Sequence, residues 1–366
     1  MNFISTKNNL LYAIQTVQRA VSPKNPLPIL SGILFKASGN SLTLQATDLE
    51  MGIECSVPVK VIKEGHIVLP ARYIIDIIRK LPDCDIDFNS NDLINSVTIK
   101  YLNSQANIHG FSAEEFPIIP NTDTGQTILF ENNFLKQILK QVIFATGTDE
   151  NRPIFNGVLF EFNENNLTLV ATDTHRLATI SVQSETLSNE IFSVIVPAKT
   201  LSELIKITSN QDDQLKITIT ENQIFFIMND IKITSRLING RFPNYKQVIP
   251  QSYISVINLN LKEILEAVER ASSLNDSNSQ LIKLDCAYNN YIVVSTSNEA
   301  GQIYEEIPAV VEGEPIQIFF NSRYLIDALK AVNTENIYLN LSGPVSPCVL
   351  RTDETNYLSL LLPVRP

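Results

Sequence analysis

Asp173-Thr174-His175-Arg176 is the stretch of this sequence that looks most like chemistry. A carboxylate beside an imidazole can relay a proton, and a guanidinium can hold the anion that forms. An enzyme using Asp173 and His175 as an acid–base pair is therefore one reading. The rest of the chain argues for another. Ala46-Thr47-Asp48 matches Ala171-Thr172-Asp173, yet Leu49-Glu50-Met51 follows it, with no His-Arg. A later stretch has Ser295-Thr296-Ser297 at the comparable place. A carboxylate tied to a repeated plan reads as a turn or cap element. His175 and Arg176 belong to one copy alone, which makes them candidates for a partner contact.

Other chemistries find little support. His66, His109 and His175 are far apart, and Cys55, Cys84, Cys286 and Cys348 have no CxxC spacing. Buried free thiols are expected, with no metal site and no disulfide framework. No nucleophile elbow, Walker loop, HExxH or dinucleotide fingerprint is present. Gly numbers 12 in 366 residues, against a usual share of about 7%, so phosphate-cradling loops and a bound cofactor are not expected.

The elements that must position these residues recur about every 125 residues. Pro28-Ile29-Leu30-Ser31-Gly32 returns as Pro153-Ile154-Phe155-Asn156-Gly157, Leu69-Pro70-Ala71-Arg72 as Val196-Pro197-Ala198-Lys199, and Phe116-Pro117 as Phe242-Pro243. A third, fainter copy runs through Leu281–Leu284 and Phe319-Phe320-Asn321-Ser322-Arg323. Solenoid repeats span about 20–50 residues; this period is that of a whole domain. The reading is three domains, 1–122, 129–250 and 251–366. Each opens with a helix: Leu10, Leu11, Ile14, Val17 and Val21 fall at helical spacing, with Ser5-Thr6 as caps. Alternating strands follow, then a second helix after Pro70, Pro197 or Asn321, then more strands. The fold class is α+β.

The net charge is −11, unevenly placed. The six helix windows, 7–19, 71–80, 132–141, 198–206, 261–270 and 322–330, hold 13 basic and six acidic residues. The remainder holds 15 basic and 33 acidic. Lys and Arg are good helix formers, but that does not explain the depletion of acids in these windows. Helices sharing one positive surface toward a polyanion would explain it. Tyr12, Tyr101, Phe111, Tyr245 and Tyr253 are not interleaved with basic residues, so the expected contact is to a nucleic-acid backbone, without base readout. The N-terminus is no export signal, because Leu10–Ile14 runs into Gln15, Thr16 and Arg19. No apolar run reaches the ~18 residues of a membrane span. A cytoplasmic protein is expected.

Leu27-Pro28-Ile29-Leu30, Ala46–Met51, Ala171–Leu177, Asn239-Gly240-Arg241-Phe242-Pro243-Asn244-Tyr245 and Leu362-Pro363-Val364-Arg365, in this order within a triple repeat, resemble the bacterial DNA polymerase III β subunit family of sliding clamps over the full length. The resemblance implies a non-enzymatic, head-to-tail homodimeric ring of six α+β domains, helices lining the hole and antiparallel sheets outside. It implies double-stranded DNA as a non-specific, encircled partner. It also implies binding of the polymerase III catalytic subunit, the clamp loader, other polymerases and repair proteins through short peptides with leucine and phenylalanine anchors. The peptide pocket carried over is Phe155, Thr172, Thr174, His175, Arg176, Leu177, Pro243, Val248, Val345, Leu362, Pro363, Val364 and Arg365. DNA-facing residues are Lys24, Arg72, Arg79, Lys80, Lys136, Lys140, Lys199 and Lys206, and Ile108 and Leu274 are the apolar candidates at the dimer interface. Thr174 stands where the family commonly has glycine, Gln247 where it often has a basic residue, and Ala106 where a bulky aromatic can sit. A repeat scaffold that binds no DNA is the competing reading.

Overall fold

The computed structural model describes residues 1–22, 26–91, 93–121, 124–183, 191–208, 214–275, 280–287, 290–353 and 356–365. Six helices fall where the apolar spacing places them: α1 (Lys7–Val17), α2 (Ala71–Lys80), α3 (Asn132–Ile143), α4 (Ala198–Ile207), α5 (Leu261–Ser272) and α6 (Ser322–Lys330). Each repeat holds two of them among antiparallel strands. Three helices open on side-chain caps that accept orphan N–H groups. Thr6 accepts from Asn9 N–H, Asn260 from Lys262 and Glu263, and Asn321 from Arg323 and Tyr324. Ser5, the other expected cap, lies inside the Asn2–Thr6 strand. The helix α2 begins directly after Pro70 with no side-chain cap. Among the described residues no helix is long and apolar enough to cross a membrane.

The chain separates into two compact units, one of residues 1–133 and 206–237, the other of residues 134–205 and 238–366. The second repeat is thus divided between them, because its strands join two different sheets. In the first unit the Ile231–Arg236 strand pairs antiparallel with Met51–Pro58 of the first repeat, within an eight-stranded sheet. In the second unit the Tyr357–Leu361 strand pairs antiparallel with Arg176–Gln183, within a twelve-stranded sheet. The remaining sheet has five strands and ends at Ser104–His109.

Strand alternation sets the cores. Leu42, Leu44 and Ala46 of the Ser41–Thr47 strand are buried, while the residues between them reach the other face. In the first unit Phe88 lies between two other rings, its centroid 4.9 Å from that of Phe3 and 5.7 Å from that of Phe35, both stacked. All three side chains are fully buried. Phe88→Ala is expected to lower stability by about 3–5 kcal/mol, from lost transfer energy and the cavity left behind. Urea unfolding followed by circular dichroism measures it; a loss below about 1 kcal/mol would mean the stack is not a core element.

Candidate functional site

The acid of the 173–176 stretch is occupied by its own backbone. One Asp173 carboxylate oxygen accepts from the N–H groups of His175 and Arg176, both at 2.9 Å. The Thr172 hydroxyl donates to the Arg176 carbonyl at 2.7 Å and accepts from Thr174 N–H at 3.2 Å. Asp48 makes the same turn, accepting from Glu50 N–H at 3.0 Å and Met51 N–H at 2.7 Å, with Thr47 donating to the Met51 carbonyl at 2.8 Å. The residue after each acid is forced left-handed, with φ +78° at Leu49 and +80° at Thr174. That region favours glycine, which accounts for a glycine preference at Thr174.

The third copy needs a correction. Ser295-Thr296-Ser297 was expected to stand for Ala-Thr-Asp, but the ladder shifts it by one residue. Ser297 faces Gln302 as Thr47 faces Gly52 and Thr172 faces Leu177. The turn acceptor is Asn298, whose side-chain oxygen accepts from Ala300 N–H at 2.8 Å and Gly301 N–H at 3.2 Å. An amide does the same work as the acid, so a charge is not what the turn requires.

Arg176 is the pin of the second unit. The residue is 8% exposed. Nε donates to the second Asp173 oxygen at 3.0 Å and Nη1 to Asp327 of α6 at 2.6 Å. The guanidinium carbon lies 4.4 Å from the Tyr324 ring centroid and 5.5 Å from that of Phe144. Charge pairing and ring stacking together offset its desolvation. The partner contact expected of Arg176 is thus largely internal. His175 contributes its carbonyl, which accepts from Leu362 N–H at 2.9 Å, and its ring lies 6.2 Å from the Tyr324 ring. The Asp173 contact to His175 is to the backbone, so the pair is not set for proton transfer.

Around this pin lies an apolar groove. Leu177 and Tyr245 belong to a buried cluster with Leu159, Val170, Val349 and Leu360. Leu177 is therefore floor and not rim. Thr172 is buried, Phe155 and Pro363 are half-buried, and Thr174, Pro243 and Arg365 are exposed. The Phe155 ring meets Phe242 edge-on at 6.4 Å. Four aliphatic side chains stand out of the surface: Val248 at 52% exposure, Val345 at 66%, Leu362 at 38% and Val364 at 41%. The tail is fixed by main-chain bonds, Leu362 to His175 and Val364 N–H to the Phe319 carbonyl at 2.8 Å. Sequence reasoning missed Phe144, Tyr324 and Asp327, which carry no repeated signature.

The other expected residues are placed singly. Arg72, Arg79 and Lys80 are exposed on α2, Lys140 on α3, and Lys199 and Lys206 on α4. Lys136 is half-buried, and desolvation followed by the charge of Lys140 lowers its pKa from the usual lysine value. Lys24 lies outside the described residues. On α5 the charges are paired internally, Arg270 with Glu305 at 2.6 Å and Lys330 of α6 with Glu269 at 2.6 Å. The 261–270 window, with two basic and three acidic residues, is the one of the six that is not basic. Ile108 is buried in its own unit and Leu274 is half-buried. Cys55, Cys286 and Cys348 are buried, whereas Cys84 is half-buried, against expectation. Burial, then the neighbouring Asp230, pushes the Cys55 thiol up to about 12, and burial, then Asp285, does the same for Cys286. Neither is a thiolate nucleophile at neutral pH. Among the described residues no cluster of His, Cys, Asp and Glu could hold a metal.

Residues 1–120, 130–244 and 246–365 match, in turn, the N-terminal, central and C-terminal domains of the DNA polymerase III beta subunit. Beta sliding clamps of Staphylococcus epidermidis and Staphylococcus aureus are 34% and 32% identical to the chain, each alignment covering 100% of it and 99% of the relative. The Bacillus subtilis DNA polymerase sliding clamp superposes with TM-score 0.96 at 32% identity, over 100% of this chain and 99% of the other. The Pseudomonas aeruginosa clamp, solved bound to griselimycin, gives 0.93 at 28% identity over 100% of both chains. Three tandem copies of one α+β fold, joined strand to strand, are the architecture of a DNA sliding clamp. The chain belongs to the DNA polymerase III beta subunit family.

The turn analysis ranks two variants. Asp173→Asn keeps an acceptor for the two N–H groups, as Asn298 does, and loses the ion pair with Arg176. Asp173→Ala loses both. Unfolding midpoints should fall in the order wild type, Asn, Ala, with Ala costing about 2–3 kcal/mol. Equal effects would mean the backbone bonds contribute nothing.

Proposed function

We propose that two copies of this chain close head to tail into a ring around duplex DNA and tether replication proteins to it. One observation carries the reading. Two strand joints have the same register. Ser235 faces Met51 and Ile231 faces Cys55; Leu361 faces Arg176 and Tyr357 faces Ile180. A third pair of equivalent strands has its edges left over. Ser104–His109 ends its sheet, and the Gly301–Gly313 strand carries a second ladder only from Ala309 to Gly313. Tight hairpins align Ser104 with Ile231, through Tyr101↔Ser104 and Met228↔Ile231. The turn alignment makes Gly301 the equivalent of Met51 and Arg176. The closing joint then sets Ile108 against Gly301, Ala106 against Ile303, and Ser104 against Glu305 of a second copy. A heterologous contact that closes after two copies pairs these two leftover edges with each other.

The ring is non-catalytic and cytoplasmic, its domains bounded as 1–122, 129–250 and 251–366. Its grip on DNA is topological. The basic helices need only weak phosphate contacts, which leave sliding easy. The groove around Leu177 and Leu362 takes polymerases, the clamp loader and repair proteins through leucine and phenylalanine anchors. Two buried anchors supply about 3–6 kcal/mol. Micromolar binding needs about 8, so backbone hydrogen bonds along the Leu362–Arg365 tail add the rest.

After loading, the protein should stay on nicked circular DNA at high salt and slide off linear DNA. Arg79→Glu with Lys80→Glu should reduce processive synthesis without unfolding the protein. Retention on neither DNA form would favour the scaffold reading instead. The register has its own test. Ala106→Cys with Ile303→Cys should give a covalent dimer on mild oxidation, because directly opposed Cβ atoms lie about 4.5–5.5 Å apart. Ala106→Cys with Gly301→Cys should not. The reverse result would rule out this register.

A further inference from the structure

On the helix side of the ladder the two joints differ. Tyr12 and Gln137 are each the sixth residue of a repeat's first helix, and Asp230 and Asn356 each precede the last strand of a repeat, Ile231–Arg236 and Tyr357–Leu361. The main chain fixes the equivalence. The Asp230 carbonyl accepts from Ser56 N–H at 2.8 Å, and the Asn356 carbonyl from Ser181 N–H at 3.0 Å. At the first joint these positions close the space. Burial, and then a hydrogen bond to Asp230, hold the Tyr12 hydroxyl pKa above its ordinary value. Asn9 Nδ2 donates to the Pro58 carbonyl at 3.1 Å. Thr16 turns back on its own helix, donating to the Tyr12 carbonyl at 2.9 Å.

At the second joint no bond joins Gln137 to Asn356, and a cavity of about 500 Å³ is left between α3, the end of α6 and the Arg176–Gln183 strand. Phe134, Gln137, Ile138 and Gln141 line it from one face of α3, at helical-neighbour spacing. Ile138, Ile180 and Val182 form a buried floor. Four carboxamides, those of Gln137, Gln141, Asn333 and Asn356, line the cavity, and none is hydrogen-bonded among the described residues. The Phe134 ring is 37% exposed. Two lysines and no acid line the cavity among the described residues. Lys330 is shared with Glu269 at 2.6 Å, whereas Lys140 makes no ion pair among the described residues.

This lining selects its occupant. The Arg176–Gln183 strand is paired on both sides as far as Ile180, and Asn356 takes the N–H of Ser181, so an extended peptide finds little main chain to pair with. An apolar ligand would strand four carboxamides away from water. Carboxamides donate and accept together, as the edge of a nucleobase does. An open aromatic ring stacks on a base face, and an unpaired lysine holds a phosphate. The volume is about three times the ~150 Å³ that holds a benzene ring, room for a base with its sugar and phosphate.

We infer that this cavity takes one unpaired nucleotide of a DNA strand, its base against Phe134 and the carboxamides and its phosphate on Lys140. A base within a duplex is stacked and paired, and extruding it is costly, so duplex passes the cavity and single strand is held. The inference rests on the ring reading for what brings a strand to the site. Binding of an oligonucleotide needs no ring, which keeps the two readings separable.

The experiment is fluorescence anisotropy with three fluorescein-labelled probes of equal length: a single strand, the same strand in a blunt duplex, and an abasic strand. The full chain is compared with Phe134→Ala, Lys140→Glu, Lys140→Arg, Asn356→Asp, and Gln137→Tyr combined with Asn356→Asp. These four positions are exposed, so the variants should fold, and thermal melts verify it. The single strand should bind about tenfold or more tightly than the duplex or the abasic strand. Phe134→Ala should weaken it about fivefold or more. Lys140→Glu should weaken it about tenfold or more, with Lys140→Arg restoring most of the loss. The double variant copies the closure of the first joint and should abolish binding, with retention on nicked circular DNA unchanged, while Asn356→Asp alone should cost less. The inference is overturned if the abasic strand binds as well as the intact one, if Phe134→Ala or the double variant binds like wild type, or if a free deoxynucleoside monophosphate binds and the strand does not. Loss of retention on nicked circles by the wild-type chain, with strand binding intact, would overturn the ring reading alone.

Discussion

A strand at the edge of a sheet presents a row of N–H and C=O groups that must be paired, covered or left to water. At both joints between repeats this chain handles that constraint in the same way. The last strand of a repeat is lent to the repeat before it: Ile231–Arg236 to Met51–Pro58, and Tyr357–Leu361 to Arg176–Gln183. Much else follows from this. The second repeat cannot be separated from its neighbours without opening a ladder, and the units of compactness do not coincide with the units of repetition. The groove arises because two repeats meet along a ladder whose end is left ragged by a turn.

That turn also anchors the wall of the groove at the second joint. Asp173 holds it and also holds Arg176, which in turn grips Asp327 and stacks on Tyr324. A buried guanidinium is costly unless every donor finds a partner. Here the geometry is fixed from both sides of the joint, by a strand of one repeat and a helix of the next. The groove beside Arg176 lies against a part of the molecule that has little freedom to rearrange. Pre-organisation of this kind lowers the entropic cost of docking a short peptide.

Much of this was legible in the residues. Periodicity placed all six helices, because each has an apolar stripe that nothing but a helix would bury. The repeat itself revealed Asp173 as a turn residue, since Asp48 lacked the neighbours that catalysis would need. The offset of Asn298 was not legible. Sequence alone offered Ser297 as the nearest match to an acid, and only the ladder could reveal a shift of one residue. The Arg176–Asp327 pair spans 151 positions with no periodic signal. Leu177 was legible as apolar but not as floor, because rim and floor differ only in which face of the strand meets the core.

The three turns end on a shared peculiarity. Each is fastened by a side chain at one position and by main-chain groups two and three residues later. The residue in second place gives only its N–H: Glu50, His175 and Ala300. Its side chain has no duty to the turn. When one ancestral domain became three, these were sites at which copies could diverge without loss of folding. A carboxylate, an imidazole and a methyl group now occupy them, so a scaffold multiplied by duplication displays different chemistry at each joint.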